Sequence, residues 1–220
     1  MPKTQDTGEW SPLGKWDSRY QGLTELPQSD GVIASYPGYG KIASYHMGAI
    51  FLRDCAHVED WGCGYGTFRK FCLSPAYVGI DGSQSPAADR VVDLCTYTSH
   101  AEGVFLRHVL EHNADGWRDI LLNALRSFSR RMVLVIYTPF GDVTRNVRAR
   151  TPSDVNVPTA LSFRKEDITD LFPEDVAWFT VVGDPLETYE TMFFLERGQD
   201  RCMHLLRHDV CYLADFSGNL

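Results

Sequence analysis

The segment Val58 to Phe68, VEDWGCGYGTF, sets glycines at 62, 64 and 66 directly behind an acidic residue. In the interior of a helix or strand each glycine costs about 0.5–1 kcal/mol relative to alanine, so three within five residues mark backbone that other residues would not tolerate. The flanks place that backbone. AHVED upstream is a short β-type run and GTFRKFCL downstream opens a helix, so the glycines form a strand-to-helix turn. In an open α/β sheet the first such turn lies at the carboxyl edge, where a nucleotide-like ligand meets bare main chain and a helix N-terminus. Twenty-one residues after Asp60, Asp81 ends a second strand-like run, AYVGID. From that position a carboxylate accepts hydrogen bonds from both ribose hydroxyls.

The remaining hydrophobic pattern alternates in the same way. Ile42 to Cys55 has helical spacing, RVVDL and EGVFL read as short strands, a helix follows from about Asp115 to Ser129, and RMVLVIYT reads as a fully buried strand. SFRKEDITDLF reads as a helix with Ser162 as its N-cap. VAWFTVVG and TYETMFFLER are predicted to pair antiparallel, because GDPLE between them is too short for a parallel crossover. The predicted fold is α/β, a Rossmann-like three-layer sandwich around a mostly parallel seven-stranded sheet with an antiparallel last strand. At 220 residues a single domain spanning 1–220 is expected. It divides into an N-terminal lid or helical segment (1–55), a cofactor-binding core (56–197) carrying a substrate loop (139–160), and a C-terminal extension (198–220).

Charge and cysteine usage narrow the function classes. A net charge of −8 and a pI near 5.3 argue against a nucleic-acid partner, which calls for a basic face. No apolar run reaches the roughly 20 residues of a membrane span, and the N-terminus lacks the charged-then-apolar order of a signal peptide. The six cysteines form no C-x-x-C pair and read as reduced thiols, so a cytoplasmic protein is expected.

Glycine spacing discriminates among nucleotide ligands. Dinucleotide binders use G-x-G-x-x-G/A, and here the third glycine falls one place early; no G-K-[ST] follows to make a P-loop. The pattern D-x-G-C-G-x-G instead resembles motif I of the class I S-adenosylmethionine-dependent methyltransferases. YVGIDGS is similar to their second motif, VVDL to their adenine-contacting segment, and VFLRHVLEHN to the fourth strand and following helix of small-molecule members. The resemblance runs from about Ala56 to Arg197. It implies S-adenosyl-L-methionine as cofactor and S-adenosyl-L-homocysteine as product. It further implies that Asp60, Gly62, Gly64 and Gly66 line the methionine and ribose side, that Asp81 holds the ribose, and that Asp93 and Leu94 face the adenine. Leu106, Arg107 and His108 would border the sulfonium. Trp61 and Tyr65 are bulkier than the usual occupants, and Glu102 stands where an aspartate often opens the fourth strand.

HVLEH, His108 to His112, also spells H-x-x-E-H, a zinc signature. Directly behind a strand the same letters start a helix in methyltransferases without binding metal, so no metal is expected and a zinc hydrolase is the minor alternative. His204 and His208 read as one face of a C-terminal helix.

A methyl sulfonium is already an activated electrophile, leaving the protein to align donor and acceptor and exclude water. His108 is the candidate base, because imidazole titrates near neutrality; a capping or packing histidine is the other reading. No [DNS]-P-P-[YFW] follows the fourth strand and no cysteine follows a proline, which favours an oxygen or nitrogen of a small-molecule metabolite over a nucleic-acid base. Specialised biosynthesis is one setting for such a reaction, and a non-catalytic cofactor-binding subunit is an alternative. WDSRY resembles the opening of several small-molecule methyltransferases, and Trp16, Tyr20, Tyr39 and His112 are the expected acceptor contacts, or else packing anchors. The C-terminal extension either makes a homodimer contact or covers the sheet edge.

Overall fold

The computed structural model describes residues 43–147, 161–182 and 190–198. Its centre is a seven-stranded sheet of β1 (His57–Trp61), β2 (Ala76–Asp81), β3 (Arg90–Val91), β4 (Ala101–Arg107), β5 (Phe128–Ile136), β8 (Val176–Val182) and β9 (Thr191–Arg197). The strand order is β3-β2-β1-β4-β5-β9-β8. The first five strands run parallel, β9 pairs antiparallel with β5, and β8 pairs antiparallel with β9. Chain order reverses direction between β1 and β4, which makes their carboxyl ends the switch point of the sheet.

Alternation along the strands builds a core on each face. Val104 and Leu106 of β4 and Met132, Leu134 and Ile136 of β5 pack with Ile120, Leu121, Ala124 and Leu125 of α2 (Trp117–Ser127) and Ile168 of α3 (Lys165–Thr169). Phe105, Val133 and Val135 face the other way, onto Met47, Ala49, Phe51 and Leu52 of α1 (Ala43–Leu52). Helices on both faces give the three layers. α1 lies close on the sheet because Gly48 has no Cβ; one built there would stand 2.5 Å from the Phe105 ring. The buried Arg131 of β5 ties down the end of α1 by donating to the Phe51 carbonyl at 2.8 Å.

Three local expectations differ from the structure. GTFRKFCL forms only a 3₁₀ turn, Thr67–Lys70, preceded by left-handed Gly66 with no side-chain cap. Phe68 instead stacks on Phe105, ring centroids 3.8 Å apart, so tertiary packing overrides the helical pattern. Ser162 is not a helix N-cap. Its hydroxyl donates to the Pro139 carbonyl at 2.6 Å, leaving Arg164 at the cap position and Glu166 and Asp167 in the first turn of α3. Ser162 belongs to β7 (Leu161–Ser162), which pairs antiparallel with β6 (Arg145–Asn146), so the expected 139–160 loop begins as one arm of a two-stranded ribbon. Residues 148–160 of that loop, 1–42 of the lid segment and 199–220 of the extension lie outside the described residues. Cys55, Cys63, Cys72 and Cys95 are free thiols. Among the described residues no helix is long and apolar enough to cross a membrane.

Candidate active site

β1 carries Asp60 and Trp61 to the carboxyl edge, where the chain turns three times through the left-handed region. Gly62, Gly64 and Gly66 have φ of 71°, 54° and 68°. Space is as restrictive as backbone here: a Cβ at Gly62 would meet Val109 Cγ2 at 2.3 Å, and one at Gly66 would meet Ala87 Cβ at 2.8 Å. The turn is braced against β2. The Gly62 and Cys63 amides donate to the Ile80 carbonyl at 2.7 and 3.0 Å, and the Gly64 amide donates to Asp81 Oδ2 at 2.8 Å. Asp81 Oδ1 accepts from the Ser83 amide (2.9 Å) and hydroxyl (2.5 Å), and the Ser85 hydroxyl donates to the Gly64 carbonyl. The glycine turn and the β2 carboxylate are therefore one rigid unit.

Asp60 and Asp81 are both buried. Burial pushes Asp60 up to about 7, although Tyr77 donates its hydroxyl to Asp60 Oδ2 at 2.6 Å and opposes the shift. Burial also raises Asp81, opposed by the Ser83 and Gly64 donors. Asp93 is exposed and closes a turn by accepting from the Cys95 amide at 2.9 Å. Leu94 and Leu106 turn their side chains into the core, so what they present to a ligand is main chain.

The other half of the edge is assembled from β4, β5, β9 and α1. His108 follows β4 with φ 56°, the only left-handed non-glycine among the described residues, and its amide donates to the Val135 carbonyl at 3.0 Å. Arg107 donates to Ser44 Oγ (3.0 Å), Tyr45 Oη (3.0 Å) and Glu190 Oε1 (2.5 Å), with its guanidinium 4.4 Å from the centre of the Tyr45 ring. His108 Nε2 stands 2.7 Å from the same Glu190 oxygen. Burial works against the Glu190 carboxylate, but the His108 contact and the Arg107 charge win and hold it at about 2. Burial, reinforced by Arg107, pulls His108 down to about 4. At neutral pH the pair is thus a neutral imidazole beside an anionic carboxylate.

Behind His108 the chain makes a 3₁₀ turn, Leu110–His112, rather than a helix. His108 and His112 consequently do not share a helical face; both rings pack instead on Tyr137, at 5.1 and 5.4 Å. Glu111 is fully buried, accepts the Tyr137 amide at 2.9 Å through Oε1, leaves Oε2 without a hydrogen-bond partner, and is pushed by burial up to about 7. Among the described residues no group of three His, Cys, Asp or Glu side chains converges as a metal set.

Val109 closes the distance between the halves, because its side chain fills the space a Gly62 Cβ would take. The structure thereby brings together Asp60, Gly62, Gly64, Gly66 and Asp81 on one side and Arg107, His108 and His112 on the other. Trp16, Tyr20 and Tyr39 fall outside the described residues. Ser44 and Glu190 were not singled out from sequence. For Glu190 a signal exists: an antiparallel last strand starts at the carboxyl edge of its neighbour, so the residue before β9 lands beside the end of β5, where Thr191 pairs with Ile136.

No protein-family profile and no curated relative matches the sequence. Solved structures do match. Magnesium protoporphyrin IX methyltransferase from Synechocystis, with S-adenosylmethionine bound, aligns at a TM-score of 0.55 and 14% identity over 84% of this chain and 90% of its own. The fold is that of these methyltransferases. An amino pentose methyltransferase of calicheamicin biosynthesis from Micromonospora echinaspora aligns at 0.53 and 15% identity, over 79% of this chain and 99% of its own. The 1,6-didemethyltoxoflavin N1-methyltransferase of Burkholderia thailandensis, holding its substrate and S-adenosylhomocysteine, aligns at 0.52 and 15% over 78% and 87%. The methyltransferase fold thus extends over most of the chain.

Proposed function

We propose that this chain transfers a methyl group from S-adenosyl-L-methionine to an oxygen or nitrogen of a small-molecule metabolite, in specialised biosynthesis. The observation that carries the reading is the left-handed glycine turn locked to Asp81 at the switch point of a methyltransferase fold. The cradle fits the cofactor: a turn of three left-handed glycines packs closely on Val109 and Ala87 without side chains of its own at these positions, and Asp81 supplies a carboxylate at the end of β2. Asp93 and Leu94 take the adenine side, and Leu106 and Arg107 border the sulfonium. The bound cofactor supplies a methyl group activated by its positive sulfur.

The chain's own residues then position, shield and move a proton. Val109, between the glycine turn and the His108 segment, sets donor and acceptor sides in register. In this reading His108 would take the proton that the acceptor loses on methylation; burial keeps the imidazole neutral and, at about 4, makes it a weaker base than the near-neutral imidazole expected from sequence. Arg107 holds Glu190 ionised, and Glu190 in turn orients the imidazole. In this reading Trp16, Tyr20, Tyr39 and His112 are the residues that recognise the acceptor. The acidic balance of the chain supports a small acceptor over nucleic acid.

The test is turnover of methyl-labelled S-adenosylmethionine against a panel of hydroxyl- and amino-bearing metabolites, with wild type beside His108→Ala. Label transfer that falls at least about 100-fold in the variant, at unchanged S-adenosylhomocysteine affinity, supports the reading. An unaltered rate removes His108 from the mechanism.

A further inference from the structure

Glu59 is the unexplained charge of this fold. It sits on β1 with 1% of its surface exposed, and its partner Trp61 belongs to the apolar core on the α2 face. A carboxylate there is costly unless fully hydrogen-bonded, and none of its partners is a cation. Three neutral side chains donate to it: Trp61 Nε1 (2.9 Å) and Ser99 Oγ (2.6 Å) to Oε2, and Tyr97 Oη (3.2 Å) to Oε1. Two of the three come from the segment 93–99.

That segment has no strand or helix of its own. Its shape comes from the Asp93 turn, from Asn123 donating to the Cys95 carbonyl at 2.8 Å, from the Ser99 amide donating to Ser127 Oγ at 2.8 Å, and from Glu59. Glu59 makes the direct side-chain link between this segment and β1, the strand that carries the glycine turn. The Tyr97 ring meets Trp61 at 5.2 Å on the same side of the sheet, so the polar anchor and the aromatic contact act together.

We infer that Glu59 is a positioning residue for cofactor binding: it clamps residues 93–99 to β1 and so presets the wall that faces the adenine. The inference rests on the cofactor reading above. A preset wall raises affinity by removing the ordering that binding would otherwise require. A glutamine preserves the pattern, because its carbonyl can take the two donors at Oε2 while its amide faces the Tyr97 oxygen. A leucine removes all three acceptances.

S-adenosylhomocysteine is titrated by calorimetry into the full chain well below each variant's melting temperature, and amide exchange is followed across residues 93–99. Glu59→Leu should weaken binding at least about tenfold and speed exchange in that segment, whereas Glu59→Gln stays within about threefold of wild type. Should Glu59→Leu fail to fold, the Tyr97→Phe/Ser99→Ala pair removes two arms and should weaken binding about fivefold. Equal affinity in wild type and in the leucine or paired variant overturns the positioning role alone. No binding to folded wild type overturns the cofactor reading and the positioning role with it.

Discussion

At the β1–β2 half of the carboxyl edge the geometry is held by main chain: three left-handed glycines, four backbone donors, and a carboxylate at the end of the neighbouring strand. At the β4–β5–β9 half it is held by side chains, with one guanidinium gathering Ser44, Tyr45 and Glu190 from 63, 62 and 83 residues away. The first kind of site tolerates almost no substitution in the turn, and burial raises the Asp60 and Asp81 carboxyls beside it. The second depends on which groups are charged. The contrast suits a shared cofactor on one side and a chain-specific acceptor on the other.

The largest effect that would sharpen this contrast is on the side-chain half. Arg107→Ala leaves Glu190 buried without its guanidinium partner and should cost about 3–5 kcal/mol of unfolding free energy, measured by urea titration. A loss below about 1 kcal/mol would show that the cluster does not depend on the pair. Gly62→Ala tests the other half. Left-handed strain and the Val109 clash together should cost about 2–4 kcal/mol, a fall of roughly 10 °C in Tm, with S-adenosylhomocysteine binding lost. Retained binding would mean that the turn is not the cradle.

Acid should separate His108 from Asp60 by sign. His108 is held at about 4 when folded, below its ordinary value of 6.5, so the unfolded chain binds a proton that the folded chain refuses between those values. Stability from this group is therefore present above 6.5 and lost as pH falls towards 4. Asp60 runs the other way: raised to about 7 from 3.8, it favours the folded state at low pH and loses that contribution as pH rises through 7. The two contributions oppose each other where their windows overlap, so His108→Gln should make stability fall more steeply with rising pH between 4 and 6.5, and Asp60→Asn should make it fall less steeply between 3.8 and 7. Unchanged slopes in urea titrations across those windows would contradict the burial argument. The smallest effect belongs to exposed Asp93, where Asp93→Ala removes one turn hydrogen bond and should lower stability by about 1 kcal/mol.

Much of the fold was legible because it depends on period and order. The buried run of β5, the glycine turn after β1 and the short connection ahead of β9 each determine an element from neighbouring residues alone. The glycine half of the site was legible for the same reason: its members stand at set spacings within twenty-five residues. Of the other half only Arg107, His108 and His112 were named, by resemblance, and the residues that hold them were not. Ser44, Arg107 and Glu190 become neighbours only through sheet order, and Glu190 reads in sequence as the polar lead of a strand. Local helix assignments failed where packing or a competing hydrogen bond won. Phe68 stacks on Phe105 instead of extending a helix, Ser162 donates to Pro139 instead of capping one, and left-handed His108 breaks the four-residue spacing that HVLEH suggests.

The most direct test of the cofactor cradle is calorimetric titration of S-adenosylhomocysteine into wild-type protein beside Asp81→Ala. Micromolar binding to wild type that weakens at least about tenfold in the variant is the expected result. Folded wild-type protein that binds nothing, or a variant that binds as tightly as wild type, would contradict the role given to the glycine turn and its carboxylate.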